Sequence, residues 1–216
     1  MSAALIKNEI GIPVAFIAVT RDITERKQVA DQLQNMNEQL RLQLVEIEKL
    51  QAILHEQAIQ DPLTGLYNRR FMEESLKQEF ARASREVKPF SVVMLDMDDL
   101  KTLNDKYGHA VGDIALKSLS RLLKDQTRTE DFVCRFGGDE FLVILHNTDE
   151  QMASVRLQEW SEWAKEIDII HEGYHIQVSF SAGIADYPTY KNIEELIRTA
   201  DKALYDIKAK KQNKNN

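Results

Sequence analysis

The chain has 216 residues, 43% apolar and 29% charged, enough to bury a core and too apolar for disorder throughout. At about 100–200 residues per domain, that length suggests one full domain plus something smaller. A formal charge of −7 argues against a surface that binds bulk nucleic acid, but not against a nucleotide held by a few placed cations. The single cysteine, Cys134, excludes an internal disulfide framework and a cysteine-type zinc site, and it suits a reducing cytoplasm. The longest clean apolar run, Val14 to Val19, is far short of the ~20 residues that span a bilayer, and Met1-Ser2-Ala3 lacks the basic start of a signal peptide. A soluble, cytoplasmic chain is expected. Glycine is scarce, yet two stand together at Gly137-Gly138.

Residues 1–23 read as a hairpin, with Asn8-Glu9-Ile10-Gly11 as the turn and Val14 to Val19 as the β-rich run after it. A lone hairpin is marginal in water. The stretch from Gly11 to Gln28, with Asp22-Ile23-Thr24, resembles the last strand and exit of a PAS sensor domain. That resemblance implies an upstream sensor of which this is the C-terminal remnant; an unrelated hairpin is the other reading.

Residues 24–60 contain no Gly and no Pro, and apolar residues recur every three or four positions from Val29 to Ala58. This predicts a helix roughly 55 Å long with no partner in its own chain, so a parallel homodimeric coiled coil is expected. Two registers are open. One core runs Val29, Leu33, Met36, Leu40, Gln43, Ile47, Leu50, Leu54, Gln57; the other runs Leu33, Asn37, Leu40, Leu44, Ile47, Gln51, Leu54, Ala58. Each carries polar core positions, so the segment is either an imperfect coiled coil with one register or a bistable linker.

Residues 61–216 read as one domain. Asp61-Pro62 stops the long helix. Helices are predicted over 69–85, 111–126, 150–167 and 193–210, and strands over 90–95, 132–136, 141–145 and 176–184. Alternating helices and strands with an inserted hairpin give an α/β or α+β class. Two acidic clusters fall at predicted strand ends, Asp96-Met97-Asp98-Asp99 and Asp139-Glu140. Carboxylates there suit a hard cation such as Mg²⁺, though polar turns alone would have the same composition.

Gly137-Gly138-Asp139-Glu140-Phe141 is the signature of the GGDEF family, the diguanylate cyclases. The stretches DPLTGLYNRR at 61–70, DMDDLKTLNDKYGHAVGD at 96–113 and ADKALYDIKAKKQN at 200–213 resemble the family's other motifs, in the same order. The resemblance implies a nucleotidyl-cyclase-like palm domain with a central mixed sheet flanked by helices. It implies condensation of two GTP into cyclic di-GMP with two Mg²⁺ (or Mn²⁺) per site. Asp96, the backbone of Met97, Asp139 and Glu140 would hold metal, Asp139 and Glu140 being the catalytic pair. Asn104 and Asp113 would read guanine, and Lys101 and Lys208 would meet the triphosphate. Asp99, Leu100, Gly137 and Gly138 would complete the nucleotide site. Without the family, Lys208 reads as part of a solvated basic tail.

Arg128-Thr129-Glu130-Asp131 has the family's Arg-x-x-Asp spacing from Gly137, which implies an inhibitory site for cyclic di-GMP at Arg128 and Asp131; a surface ion pair is the other reading. Three departures stand out. Lys211-Gln212-Asn213 replaces the family's Gly-Arg-Asn, so a weaker triphosphate grip is expected. Leu100 replaces the usual Phe, and Glu159 stands where some members have a second inhibitory arginine. His109 is expected in a turn, Trp160 and Trp163 as packing residues, and Cys134 as a small core residue. The functional expectation is a homodimeric cyclase regulated through the coiled coil. The alternative is a catalytically weak GGDEF domain that binds GTP or cyclic di-GMP or serves only dimerisation.

Overall fold

The computed structural model describes residues 2–19, 22 and 24–215. They fall into two units, Met1–Leu54 and His55–Asn216. The division lies inside the long helix, ahead of the boundary expected at residue 61.

In the first unit, β1 (Ser2–Lys7) pairs antiparallel with β2 (Pro13–Val19). The Asn8 side chain closes the turn by accepting from Ile10 N at 3.2 Å and Ile12 N at 2.9 Å, and Gly11 takes φ 79°. Ile23, the centre of the Asp-Ile-Thr resemblance, lies outside the described residues. The helix α1 (Thr24–Ile59) runs unbroken for 36 residues, roughly 54 Å. Its Leu33, Leu40, Ile47 and Leu54 are each at least half exposed in the single chain.

The second unit is built on a five-stranded sheet of order β3-β5-β6-β4-β9. The strands are β3 (Tyr67–Asn68), β4 (Phe90–Met97), β5 (Phe132–Arg135), β6 (Glu140–His146) and β9 (Phe180–Tyr187). Only β3 and β5 run parallel, so the sheet is mixed. β4 lies between β6 and β9 and is buried along its whole length because helices cover both faces. Val93, Leu95 and Met97 pack on one side with α4 (His109–Asp125) and α5 (Glu150–Lys165). Phe90, Val92 and Met94 alternate to the other, against α2 (Arg69–Glu86) and α6 (Ile193–Asn215). Trp160 is buried in the first layer and Trp163 packs at its edge.

Three elements differ from expectation. A short helix α3 (Leu100–Tyr107) begins after Asp99, which takes the left-handed conformation at φ 55° without a side-chain cap. It ends at Gly108, and His109 opens α4 rather than sitting in a turn. The strand expected over 176–184 is two: β8 (Tyr174–Gln177) pairs with β7 (Asp168–His171) in a separate hairpin, and β9 joins the main sheet. The break falls at Ser179, whose carbonyl is bonded by Asp98 N at 2.9 Å instead of continuing a ladder. Among the described residues, no helix is long and apolar enough to cross a membrane.

The helix α6 lies directly on β9. A β-carbon at Gly183 would strike the backbone of Ala200 and Leu204, so only glycine permits this approach. Gly183→Ala is expected to cost about 3 kcal/mol of stability, read from urea denaturation.

Candidate active site

The two acidic clusters meet at one end of the sheet. Asp96 near the end of β4 stands opposite Glu140, the first residue of β6. Met97 N donates to Asp139 O at 3.0 Å, which ties the two strand ends together. The hairpin between β5 and β6 closes on itself, with Phe136 N and Gly137 N both donating to Glu140 O, at 2.8 and 3.2 Å.

The two glycines have different reasons. A β-carbon at Gly137 would come within 2.5 Å of Glu140 Oε2, so a larger residue would push that carboxylate away. At Gly138 it would meet nothing within 4 Å, which leaves the tip open.

A bracket supports the tip. Arg135 donates through Nη2 to Gly138 O at 2.7 Å and through Nη1 to Asp61 Oδ1 at 3.1 Å. Burial alone would raise the Asp61 carboxyl, but hydrogen bonds from Thr64 and Arg135 outweigh it and hold the group below its ordinary range. Neither role was read from the sequence. Asp61 and Arg135 are opposite charges 74 residues apart in the chain, a pairing that local spacing cannot reveal.

Around the carboxylates the electrostatics are unfavourable to charge. Burial pushes the Asp96 carboxyl up, with Asp139 and Asp98 adding repulsion and Lys208 opposing it. Burial also pushes Glu140 up, helped by Asp96, Asp139 and Asp201. Lys208 of α6 forms an ion pair with Asp96, its Nζ 2.5 Å from Oδ1. The residues fit a hard dication, which favours carboxylate oxygens and would relieve the repulsion. Among the described residues no three His, Cys, Asp or Glu side chains converge closely enough to enclose a metal alone. A metal here would draw its other ligands from main chain, water or substrate, the usual habit of Mg²⁺.

The remaining expected residues are brought to α3 and α4. Asn104 packs against Gly112 so closely that any β-carbon there would collide with its amide, and Asn104 Oδ1 is buried with no partner. Asp113 and Lys101 are exposed, and Leu100 packs on the core. Asp99 sits at the start of α3. The Gln212 side chain lies outside the described residues. Cys134 is fully buried, and burial pushes its thiol up to about 12, so it is no nucleophile.

The Arg-x-x-Asp pair separates. Arg128 is exposed and lines a cavity of about 290 Å³ with Tyr67, Lys124 and Thr129. Asp131 differs from expectation. Its side chain is 0% exposed and turned inward, accepting from Arg128 N at 3.0 Å, His146 N at 3.0 Å and Arg156 Nη2 at 2.8 Å. It shapes the loop instead of offering a free acceptor to a guanine. Arg156, one turn before Glu159 on α5, is the arginine that closes on it.

The model of the family described as "Diguanylate cyclase, GGDEF domain" matches residues 58–214. The chain is 36% identical over 155 residues to the diguanylate cyclase DosC of Escherichia coli, covering 71% of this chain and 34% of that one. It is 38% identical over 158 residues to the diguanylate cyclase DgcS of Shewanella oneidensis, covering 73% and 52%. Among solved structures, diguanylate cyclase SiaD of Pseudomonas aeruginosa, in complex with its activator SiaC, superposes with TM-score 0.69 at 29% identity. That match covers 87% of this chain and 74% of SiaD. With a palm-like mixed sheet, acidic strand ends and a family match over most of its length, the chain belongs to the GGDEF family. It spans between a third and about half the length of these two curated relatives.

The raised Glu140 group makes a pH prediction. Its folded-state pKa lies above the unfolded value, so the charged form costs stability at neutral pH, and the cost fades as pH falls through the carboxylate range. In metal-free buffer Glu140→Gln should therefore raise Tm at pH 7, and the gain should disappear near about pH 4.

Proposed function

We propose that this domain is a diguanylate cyclase that condenses two GTP into cyclic di-GMP and releases two pyrophosphates. In each half-reaction the 3′-hydroxyl oxygen of one GTP bonds to the α-phosphorus of the other as the bond to pyrophosphate breaks. One observation carries the reading: the buried Asp96 carboxylate, paired with Lys208 and standing opposite Glu140 at the sheet end, in a chain of this family.

Asp96, the main chain of Met97, Asp139 and Glu140 would hold two Mg²⁺ or Mn²⁺ per site, which when bound would supply polarisation of the α-phosphate and a lowered pKa for the attacking hydroxyl. Lys208, which supplies positive charge to Asp96 in the nucleotide-free domain, turns to the triphosphate, with Lys101 as a second point charge. The unpartnered Asn104 Oδ1 marks a polar atom ready for guanine, and the exposed Asp113 accepts from the base's N–H edge. Asp99 and Leu100 shape the floor of this site. Gly137 keeps Glu140 in place, and Gly138 leaves the approach open.

One domain holds one GTP, so two must face each other. The half-exposed apolar stripe of α1 supports a parallel coiled-coil homodimer, which raises the effective concentration of the second half-site. The likeness to SiaD, which covers more of the chain than the family domain does, supports reading helix and domain as one working unit. Residues 1–23 are read as the end of a PAS-type sensor that drives the helix. Arg128, exposed beside its cavity, is the phosphate-clamping part of a product-inhibition site, and the buried Asp131 sets its loop.

Incubation with GTP and Mg²⁺, with products resolved by chromatography, should yield cyclic di-GMP and pyrophosphate. A bound but unreacted nucleotide would support the weak-domain alternative. Asp139→Ala should lower turnover about 100-fold or more, the scale of losing transition-state charge stabilisation. Arg128→Ala should leave initial rates near wild type and maintain activity at product concentrations that slow the wild type. Two α1 disulfides, each compatible with one coiled-coil register, should give unequal turnover if the linker is bistable; equal rates would remove that part of the reading.

A further inference from the structure

Beyond Lys208, α6 reaches the end of β4 a second time. Lys211 Nζ donates to Asp98 Oδ2 at 2.6 Å and to Phe180 O at 2.9 Å. Asp98 is itself fixed from several sides. Its Oδ1 accepts from Ser181 Oγ at 2.7 Å, its Oδ2 from Ser179 Oγ at 3.0 Å, and its N–H bonds Ser179 O at 2.9 Å. Its side chain is only 13% exposed. Asp98 therefore belongs to the seam between the β4 end and the start of β9. It is an anchor, with its acceptors already committed.

The spacing on both sides matters. Lys208 and Lys211 are three residues apart and share a helix face, while Asp96 and Asp98 are two apart at the strand end. Each lysine takes one aspartate. The two contacts differ in what binding would do to them. The Lys208–Asp96 pair lies in the proposed metal and phosphate site and must open when those groups arrive. The Lys211–Asp98 bond faces the serines of the β9 seam and can persist. A helix end held only by Lys208 would be free to fray at the moment its lysine is needed, because terminal turns have few internal hydrogen bonds to restrain them.

We propose that Lys211 is a positioning residue: bonded to Asp98, it clamps the last turns of α6 so that the Lys208 ammonium stays within the site when the triphosphate replaces Asp96 as its partner. This rests on the reading of the site given above. Lys211 stands where the family pattern has glycine, which could make no such bond, and it precedes Gln212, which replaces the pattern's arginine. The clamp thus supplies, by restraint of Lys208, part of the grip that the missing arginine would have provided directly.

The test uses the full chain carrying Lys211→Ala, Lys211→Arg or Lys208→Ala. Affinity for a non-hydrolysable GTP analogue with Mg²⁺ is measured by calorimetry, turnover by steady-state kinetics, and amide hydrogen exchange over residues 203–215 without nucleotide. Lys211→Ala should weaken analogue binding and raise KM about ten-fold, the lower end expected for a supporting residue. Its kcat should remain within about two-fold of wild type, and exchange in the last turns of α6 should accelerate. Lys211→Arg should restore all three readouts, whereas Lys208→Ala should weaken binding without loosening the helix end. Unchanged exchange and unchanged affinity in Lys211→Ala would overturn the clamp. So would a fall in Tm and kcat at constant KM, which would mark a purely structural residue. A wild-type chain that fails to bind the analogue would overturn the reading of the site, and the exchange measurement would still decide whether the clamp exists.

Discussion

Two carboxylates that repel each other set the terms for this domain. Asp96 and Glu140 face across adjacent strands at one end of the sheet, and burial makes the charge of each harder to bear. Hydrophobic packing cannot remove that conflict, because the strands that carry them are the most deeply buried part of the sheet. Positive charge has to be delivered from outside the sheet, and α6 delivers it. The helix reaches Asp96 because Gly183 lets it lie directly on β9. A missing side chain in the middle of one strand therefore determines whether Lys208 can meet an aspartate on its neighbour. Packing, electrostatics and chemistry are coupled through the position of one helix.

The opposite side of the site is controlled by backbone geometry more than by charge. Arg135 holds the carbonyl of Gly138 with one edge of its guanidinium and Asp61 with the other. Asp61 follows α1 closely, so the tip of the hairpin and the start of the domain share one rigid bracket. A planar guanidinium suits this task, since its fixed fork can satisfy two acceptors without adapting its shape. The tip stays exposed and glycine-rich without being loose.

Much of this was legible in the sequence. Strands β4, β5 and β6 follow from the runs at 90–95, 132–136 and 141–145, and the long helix from the absence of Gly and Pro in 24–60, whereas the two-residue β3 carries no such signal. The two acidic clusters that meet at the sheet end were legible because each is contiguous in sequence. The misses have physical causes. The helix α3 starts from a left-handed Asp99 with no capping side chain, so the usual start signal was absent. The strand over 176–184 was split by a hydrogen bond from Asp98, some eighty residues away, which no local pattern encodes. Asp131 was given an outward role because Arg-x-x-Asp records spacing and not side-chain direction. Its partner Arg156 was hidden for the same reason. Local periodicity identifies elements, whereas the contacts that orient functional groups are long-range.

Cys134 lies in β5, three residues before the glycine pair, and it is completely buried with a thiol that hardly ionises. Oxidants and soft metals attack thiolates, so this position is chemically silent at physiological pH. The β5–β6 hairpin therefore tolerates a sulfur atom at its base with no redox liability. Any response of this chain to oxidation would have to enter elsewhere, through its methionines.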